Sequence, residues 1–414
     1  MTSFHLPTLD SRIVGRQNSF FAEDSLRFHD TLSEKIKGSR ILVIGGAGSI
    51  GFHTLRNVMR FAPSVVHVID HNENGLAEVI RALRSAPEPV LVDELLTLPF
   101  DYGGAPFKHW LAAQSKPYDY VLNFAALKHV RSEKDPYSIL AMLETNVLKL
   151  VDLAQGLERI GAPKGLFCVS TDKAANPSSM MGATKRLMEH ALFAPNLAWT
   201  RQTRITSARF ANVAMSNGSL LQSWQMRQAA GQPMACPEGC RRFFVSLDES
   251  GHLCTLAAFL GQDRSVIVPA LDPAEHLVLL QDVATWYLDA QGLKPWVTRD
   301  EDEARSMVAT CKARGEYPLL LTPLDTAGEK PYEEFIGAGE SVTRGDFTSL
   351  EQIGYLPPAD AAVFPAFIET LRGFLSDQPQ TALTEEVLKN AIATVEPAFA
   401  QSHRASAKSL DARV

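Results

Sequence analysis

Short apolar runs alternate with longer stretches of helical periodicity through the first half of the chain. Such runs are typical of strands buried inside a parallel sheet. Each is followed by a pattern that predicts a helix packed across the sheet. The runs predict six strands at Ile41–Ile44, Val65–Ile69, Val90–Val92, Tyr120–Phe124, Gly165–Val169 and Arg204–Arg209. We therefore predict an α/β fold with a doubly wound parallel sheet.

The first predicted strand runs directly into Gly45-Gly46-Ala47-Gly48-Ser49-Ile50-Gly51, and a helical stretch follows. This spacing provides a tight turn, close approach of the backbone to a pyrophosphate, and a helix N-terminus facing the phosphates. Asp70 ends the second strand about 20 residues further on, where a carboxylate accepts the adenosine ribose hydroxyls. The predicted cofactor-binding residues are Gly45, Gly48, Ser49, Ile50, Gly51 and Asp70, with the small Ala125 and Ala126 after the fourth strand.

The charge of Asp70 also favours one dinucleotide over the other. A carboxylate at this position would repel the 2′-phosphate of NADP, and no arginine or lysine follows closely to compensate for it. We therefore predict NAD as the cofactor. Asp93, placed at the end of the third predicted strand, is either a contact to the adenine or an ordinary loop acid.

Composition narrows the class of protein further. The net charge of −7 and the pI near 5.9 argue against nucleic acid or an anionic membrane as partners. Because no apolar run reaches the roughly 18 residues of a membrane span and Met1–His5 does not resemble a signal peptide, we expect a cytoplasmic protein without a membrane segment. Five cysteines argue against a disulfide framework, and Cys236 with Cys240 is better explained by packing than by zinc, so no metal is predicted.

The chain divides at points where the pattern changes. Beyond residue 214 the regular alternation gives way to loops rich in proline and glycine, short strands, and helices such as Ser219–Ala230. We predict an N-terminal extension (1–39), an NAD-binding Rossmann domain (40–214), an interleaved, smaller α/β substrate-binding region (215–375) and a C-terminal tail (376–414). The extension shows helical spacing from Ser19, behind a disordered lead of about a dozen residues.

A long amphipathic pattern from Tyr137 to Ile160 predicts one continuous helix. Its apolar stripe is broad enough to be buried on more than one side. The stripe fits either a contact between subunits, as in a homodimer or higher homo-oligomer, or core packing within one chain. Asn146 lies within this helix and could bond the backbone near the active site.

Hydroxyl, carboxylate and amine groups gather where the fifth strand ends and the next helix begins. Ser170-Thr171-Asp172-Lys173 follows the strand, and Met181-Gly182-Ala183-Thr184-Lys185 opens the helix. Chemistry in open α/β sheets collects at the carboxyl ends of strands, so we place the active site here. Lys128 belongs either to this site or to a solvated loop. Arg241 and Arg242 either clamp a diphosphate or form a surface pair.

These motifs together resemble the nucleotide-sugar 4,6-dehydratases of the extended short-chain dehydrogenase superfamily. The resemblance is closest to the UDP-N-acetylglucosamine 4,6-dehydratases of bacterial polysaccharide and glycan biosynthesis. The matching segments keep the family order from residue 41 to about 335 and comprise the glycine loop, Ala125-Ala126-Leu127-Lys128-His129-Val130, Thr145-Asn146-Val147, Ser170-Thr171-Asp172-Lys173-Ala174, Asn176-Pro177, Met181-Gly182-Ala183-Thr184-Lys185-Arg186, Arg209-Phe210, Asn212-Val213 and Gly328-Glu329-Lys330.

The resemblance implies a reaction. Hydride leaves C4 of the sugar for NAD, and the 4-ketone that forms acidifies the proton on C5. Lys173, if neutral, removes that proton, while Asp172, if protonated, donates to the departing C6 hydroxyl. Hydride then returns to C6, so that NAD is restored and one water is lost.

The resemblance also assigns roles to further residues. Thr171 bonds the 4-oxygen and shares the duty of the tyrosine that Met181 replaces, while Lys185 holds the nicotinamide ribose. The implied substrate-binding residues are Lys128, Asn212, Arg242 and Glu329.

Two features depart from the family pattern, and a third is similar to one branch of the family. Methionine at the tyrosine position is similar to the branch that retains configuration at C5, whose members often carry a membrane-spanning N-terminal region. Thr326-Ala327 stands where the family usually has Arg-Pro, and Asn217 stands where it has an arginine before Gly-Ser. The last two departures concern the nucleotide end of the substrate.

Two other functions are compatible with the fold. A nucleotide-sugar 4-epimerase would use the same cofactor, but it has no need of an acid–base pair aimed at C5 and C6. A catalytically silent NAD-binding regulator is suggested by Met181, which cannot titrate. Asp172 and Lys173 speak against both.

Overall fold

The computed structural model describes residues 7–86, 91–128, 133, 135–194, 202–324, 330–376 and 382–403. The strands within these ranges are β1 Arg40–Ile44, β2 Val65–Ile69, β3 Glu94–Leu98, β4 Tyr120–Asn123, β5 Gly165–Val169, β6 Arg204–Ala208, β7 Asn212–Val213, β8 Met234–Pro237, β9 Arg241–Arg242, β10 Phe244–Val245, β11 Ser265–Pro269, β12 Val278–Leu279, β13 Lys294–Thr298, β14 Glu316–Thr322, β15 Val342–Thr343 and β16 Leu350–Gly354.

Helices separate most of these strands. They are α1 Thr8–Val14, α2 Ala22–Arg27, α3 His29–Ile36, α4 Ser49–Met59, α5 Glu73–Arg84, α6 Ala105–Ala112, α7 Pro136–Leu143, α8 Lys149–Ile160, α9 Met180–Phe193, α10 Leu220–Ala229, α11 Leu247–Leu260, α12 Pro273–His276, α13 Leu280–Asp289, α14 Glu301–Ser306, α15 Val308–Ala313, α16 Val363–Phe374, α17 Glu385–Val395 and α18 Pro397–Ser402. None of the described helices is both long enough and apolar enough to cross a membrane.

The central sheet has the order β15-β16-β11-β6-β5-β4-β1-β2-β3. Strands β1 to β6 and β11 run parallel. At one edge β16 pairs antiparallel with β11, and β15 pairs antiparallel with β16. The strand order reverses at β1, which pairs with β2 on one side and with β4 on the other. The predicted doubly wound α/β fold is confirmed, and the reversal marks the edge where such sheets bind ligands.

Two hydrophobic cores hold the chain together. The larger core surrounds the central sheet, whose β1 residues Ile41–Ile44 are essentially inaccessible because helices cover both faces. The smaller core packs around Trp224 and Tyr287, between α10, α13 and the three-stranded sheet β13-β14-β8, and Ile13 of α1 joins it. The division at residue 214 stays a prediction, and β11, β15 and β16 from beyond it extend the central sheet.

The third predicted strand is wrong. The strand lies at Glu94–Leu98, where it pairs in parallel with Val65–Ile69. Of the predicted segment Val90–Val92, residues 91 and 92 are not in a strand, and Val90 lies outside the described residues. Leu95, Leu96 and Leu98 supply its apolar side chains. Asp93 therefore precedes the strand instead of ending it and lies exposed at the opposite edge of the sheet from the carboxyl ends. The structure thus excludes the proposed adenine contact for Asp93.

The predicted helix 137–160 is interrupted by one π-helical segment, Glu144–Leu148, between α7 and α8. Single π segments inside α-helices are frequent at functional sites. The apolar stripe is covered from within the chain, because α16 packs on the π segment and α17 packs on α7 and α9. The homo-oligomer stays a prediction.

The described part of the N-terminal extension is more ordered than the sequence pattern predicts. The expected disordered lead is wrong from residue 8 onward, where α1 begins and contributes Ile13 and Val14 to the smaller core. The tail carries α17 and α18, which bury Leu388, Ile392 and Phe399 in the larger core.

Candidate functional site

A cleft of about 920 Å³ opens along the carboxyl ends of β1, β2, β4 and β5. A volume of this size accommodates a ligand that is largely enclosed. The predicted site residue Glu329 lies outside the described residues. The other predicted residues all line this one cleft: Gly45, Gly48, Ser49, Ile50, Gly51, Asp70, Ala125, Ala126, Lys128, Thr171, Asp172, Lys173, Met181, Lys185, Asn212 and Arg242.

The glycine loop lies against the loop that follows β4. Gly45 has φ of +75°, and a Cβ atom there would lie 2.5 Å from the backbone nitrogen of Ala125. No side chain fits that gap, so only glycine permits both the backbone turn and the contact. Helix α4 then begins at Ser49 with its N-terminus at the cleft. The described geometry therefore provides free backbone N–H groups for a diphosphate.

Asp70 is held where a ribose would approach the end of β2. Its Oδ2 accepts a hydrogen bond from the backbone N–H of Ala47 at 3.0 Å, and its Oδ1 accepts one from Asn72 at 2.9 Å. The side chain is only 8% exposed but lines the cleft. A carboxylate has lone pairs beyond these two bonds, so it can still accept from ribose hydroxyls.

The candidate catalytic segment, Thr171-Asp172-Lys173, places three donors on one oxygen atom. Thr171 Oγ1, the backbone N–H of Lys173 and Lys173 Nζ donate to Asp172 Oδ1 at 2.8, 2.9 and 3.1 Å. The Asp172 carboxylate is therefore held in place by three donors on one oxygen. Helix α9 approaches this segment closely, since a Cβ on Gly182 would lie 2.6 Å from the Lys173 carbonyl oxygen. The segment is therefore fixed against α9.

Lys173 also faces a second carboxylate. Its Nζ lies 3.6 Å from Glu333 Oε1, and the Glu333 side chain is 4% exposed. Burial would lower the pKa of Lys173, but the charges of Asp172 and Glu333 outweigh burial and raise its pKa above the ordinary value. The expectation that Lys173 is neutral is therefore wrong for the free protein, in which this side chain is an ammonium.

Lys185 lies in a different electrostatic environment. Its Nζ donates to the Val169 carbonyl oxygen at 2.7 Å and lies 3.1 Å from Met188 Sδ, neither of which carries a charge. Burial lowers the pKa of Lys185 to about 8. Met181 lies one helical turn before Lys185, lines the cleft, and donates its backbone N–H to Glu133 Oε1 at 2.9 Å. Burial raises the pKa of Glu133 to about 7.

The π segment ties the loop after β4 to α9. Asn146 accepts from the Leu127 backbone N–H at 3.0 Å and donates to the Leu127 carbonyl oxygen at 2.9 Å. Its amide also donates to Thr184 Oγ1 at 3.0 Å. The predicted bond from Asn146 to backbone near the site is confirmed, and Lys128 beside Leu127 is exposed at the cleft.

The two candidate arginines differ in position. Arg242 lines the cleft, and its Nη1 donates to the carbonyl oxygens of Arg241 and Lys330 at 2.8 and 3.0 Å. Arg241 is exposed and is not part of the described cleft wall. Asn212 is held by β7, which pairs with β10. Of the two arginines, Arg242 therefore remains the candidate for a diphosphate contact, and the predicted clamp by both arginines is not supported.

A buried network of ion pairs lies behind the catalytic segment. Ser170 Oγ donates to Glu189 Oε1 at 2.7 Å, and Arg209 Nη2 pairs with Glu189 Oε2 at 2.7 Å. Arg209 Nη1 reaches Glu340 Oε2 at 2.6 Å. Arg186 connects the same network to Glu340 and to Glu396, which lies between α17 and α18. The network thus links the end of β5 to two residues, Glu340 and Glu396, that lie more than 150 positions further along the chain.

Sequence reasoning missed several residues of the site. Phe100, Asp101 and Tyr102 follow β3 and line the cleft, but the misplaced strand hid them. The N-terminus of α10 lines the cleft as well, where Ser219 caps the helix. Glu333 follows Gly328-Glu329-Lys330 closely, which is the one sequence signal that could have drawn attention to it.

No group of three or more metal-binding side chains occurs among the described residues. Cys236 and Cys240 are both buried in the smaller core, and neither forms a disulfide. Burial raises the pKa of Cys236 to about 12, which keeps its thiol protonated. The packing role of these two residues is therefore supported.

The fold and the site together define a class of protein. The glycine loop after β1 and the Asp70 carboxylate after β2 are the parts that bind a dinucleotide in doubly wound α/β enzymes, among them the extended short-chain dehydrogenase/reductase superfamily. The described residues fit that cofactor.

The chain belongs to the polysaccharide biosynthesis protein family, whose sequence profile matches residues 41–353. An uncharacterized membrane protein of Methanocaldococcus jannaschii is 30% identical over 311 residues, which cover 74% of this chain and 82% of that protein. An inverting UDP-N-acetylglucosamine 4,6-dehydratase of Campylobacter jejuni is 28% identical over 217 residues, covering 51% of this chain and 61% of that protein.

The fold has a counterpart among solved structures. The X-ray structure of Pen from Bacillus thuringiensis superimposes with a TM-score of 0.62 at 21% identity, covering 77% of this chain and 88% of that one. At this level of identity the likeness concerns the fold.

Proposed function

We propose that this protein is an NAD-dependent nucleotide-sugar 4,6-dehydratase that acts on UDP-N-acetylglucosamine or a close UDP-N-acetylhexosamine. The observation that carries the proposal is the cluster of Thr171, Asp172 and Lys173 in the same cleft as the NAD site. The similarity to the Campylobacter jejuni enzyme supports the substrate. The product would be the 4-keto-6-deoxy sugar, formed for polysaccharide or glycan biosynthesis.

The cofactor would be held at both of its ends by residues of this chain. The glycine loop and the N-terminus of α4 would hold the diphosphate, and Asp70 would accept the adenosine ribose hydroxyls. Lys185 retains a donor for the nicotinamide ribose, because its two described contacts leave one of its three N–H groups. Bound NAD would supply a temporary acceptor for the hydride of C4.

The residues supply a proton path that balances. Thr171 Oγ1 takes the proton of the sugar 4-hydroxyl while it passes its own proton to Asp172, to which it already donates at 2.8 Å. Asp172 starts as a carboxylate and gains the proton from Thr171. It then gives this proton to the departing C6 hydroxyl, so one water leaves and Thr171 keeps the proton that began on O4. On this path Asp172 acquires its proton during the reaction and does not have to be protonated beforehand.

Lys173 handles the proton on C5. Because it is an ammonium in the free protein, it must lose a proton before it can act as a base. As an amine it takes the C5 proton, and it returns one to C5 when C6 becomes a methyl group. The elimination rate should therefore rise with pH until the pKa of Lys173 is passed.

The other end of the cleft suits the UDP moiety. Arg242, Asn212 and the N-terminus of α10 line it together. A guanidinium and a helix N-terminus are both suited to a diphosphate. Asn217 donates its backbone N–H to Ser49 Oγ at 2.9 Å and so links this end to the cofactor loop. The proposed roles of Lys128 and Glu329 in binding the sugar nucleotide remain predictions.

Mass spectrometry of the product tests the proposal. Incubation with UDP-N-acetylglucosamine and NAD should give a product lighter by one water. An unchanged mass with conversion to UDP-N-acetylgalactosamine would show an epimerase instead. An unchanged substrate would favour the silent regulator, and in that case Lys173→Ala would leave the cellular role intact.

NMR of the product in deuterated water addresses the stereochemistry. Deuterium at C5 is expected if Lys173 exchanges the proton that it removes. The configuration at C5 separates retention, suggested by Met181, from the inversion named for the Campylobacter jejuni relative.

A further inference from the structure

A second carboxylate reaches the catalytic lysine from a distant part of the chain. Glu333 Oε1 lies 3.6 Å from Lys173 Nζ, and the Glu333 side chain is almost completely buried. Glu333 does not belong to the described cleft wall. Its side chain therefore faces Lys173 rather than the cleft itself.

The loop that carries Glu333 is fastened to the catalytic segment on both sides of that residue. Lys330 Nζ donates to the Asn176 carbonyl oxygen at 2.6 Å. The Asn176 side chain donates to Glu334 Oε2 at 2.9 Å and accepts from the Ala338 backbone N–H at 3.0 Å. A loop fixed in this way holds the Glu333 carboxylate at a defined place beside Lys173.

Other charges also act on this pair. Burial raises the pKa of Glu333 and the charge of Lys173 lowers it, while Asp172 raises the pKa of both Lys173 and Glu333. Arg242 lowers the pKa of both groups, and Lys330 lowers the pKa of Glu333. Two anionic groups therefore share the Lys173 ammonium, with two cations nearby. Asp172 has its own part in the proton path, whereas Glu333 is engaged with Lys173.

We propose that Glu333 is a positioning residue of the dehydration, which holds the Lys173 side chain beside Asp172 and sets the pH at which that side chain gives up its proton. The catalytic consequence rests on the proposed function, whereas the ion pair does not. A negative charge at this distance shifts the titration of a neighbouring amine by about 1 to 3 units. Its removal should therefore make Lys173 titrate at a lower pH.

The first test requires no substrate. The rate at which acetic anhydride acetylates Lys173 is followed across pH by peptide mass spectrometry in the wild-type protein, Glu333→Gln and Glu334→Gln. We expect the midpoint for Lys173 to fall by at least about 1 unit in Glu333→Gln. Glu334→Gln is the matched control, because Glu334 is exposed and glutamine can still accept from Asn176. Equal midpoints in all three proteins would overturn the proposal.

The second test follows the rate of water loss from UDP-N-acetylglucosamine against pH. The rising limb of the profile should move to lower pH in Glu333→Gln and stay in place in Glu334→Gln. Glu333→Asp keeps the charge, so its limb should remain within about half a unit of the wild-type position even where its maximal rate falls. A lower rate with an unmoved limb in Glu333→Gln would show a merely structural residue and would overturn the proposal.

The two tests also separate the proposal from the function on which it rests. If the wild-type protein does not remove water from UDP-N-acetylglucosamine, the proposed function fails, and the acetylation midpoints still decide the role of Glu333. If the wild type is active and the midpoints do not differ, the function stands and the Glu333 proposal fails.

Discussion

The cofactor half and the catalytic half of the cleft are built in different ways. The cofactor half uses backbone geometry within two consecutive strand–helix units, from Gly45 to Asp70. The proposed catalytic half is assembled from Thr171–Lys173 and Arg242, with Glu333 behind Lys173. These residues are far apart along the chain, and buried ion pairs support them. We conclude that the first half depends on local backbone shape and the second on charges that must be matched at long range.

The largest effect should come from breaking the buried network. Arg209→Met would leave Glu189 and Glu340 without a principal partner, and both carboxylates are at most 2% exposed. Removing one partner from a buried ion pair costs about 3–5 kcal/mol. Urea denaturation should show a loss of this size in the free energy of unfolding.

Arg344→Met is the matched control for that measurement. Arg344 pairs with Glu351 at the surface and is 75% exposed, so its loss should cost at most about 1 kcal/mol. If Arg209→Met is as stable as this control, the catalytic half does not depend on its buried charges.

The next largest effect should come from removal of the proposed general acid, Asp172. Asp172→Asn cannot carry the proton from O4 to the C6 hydroxyl, so turnover should fall by at least about 10²-fold. NAD affinity, measured by isothermal titration calorimetry, should not change, because Asp172 is not among the residues proposed to bind the cofactor. Asp93→Asn, at the far edge of the sheet, should leave both quantities unchanged. A near-normal rate in Asp172→Asn would remove this residue from the proposed role.

The smallest effect is expected in the cofactor half. Asp70→Asn weakens the acceptor for the ribose hydroxyls but keeps the backbone loop, so NAD should bind about tenfold more weakly. Because the negative charge is also lost, the preference for NAD over NADP should narrow. The dissociation constants of both dinucleotides measure this directly, and an unchanged ratio would contradict the role of Asp70 in selectivity.

The sequence predicts the cofactor half well for a physical reason. Gly45, Asp70 and Ala125 lie at the ends of short buried strands, and the carboxyl ends of parallel strands meet at one edge. The same rule brought Thr171, Asp172 and Lys173 to this edge. The position of β3 is not predicted correctly, because Val90–Val92 and Leu95–Leu98 are both short apolar runs and the pattern alone does not distinguish them.

The support behind the catalytic segment could not be predicted. Glu340 and Glu396 look like ordinary surface acids, since a buried ion pair between distant residues leaves no periodic signal in the sequence. The protonation of Lys173 was mispredicted for the same reason, because Glu333 reaches it from a segment about 160 residues further along the chain. The π segment at Glu144–Leu148 could not be predicted either, because its residues continue the helical pattern of α7 and α8.

The central claim is that hydride leaves C4 of the sugar and returns to C6 of the same molecule while water is lost. UDP-N-acetylglucosamine labelled with deuterium at C4 tests this claim directly when the product is examined by NMR. The account predicts a 6-deoxy product whose methyl group carries the deuterium. Deuterium that stays at C4, in a product of unchanged mass, would contradict it.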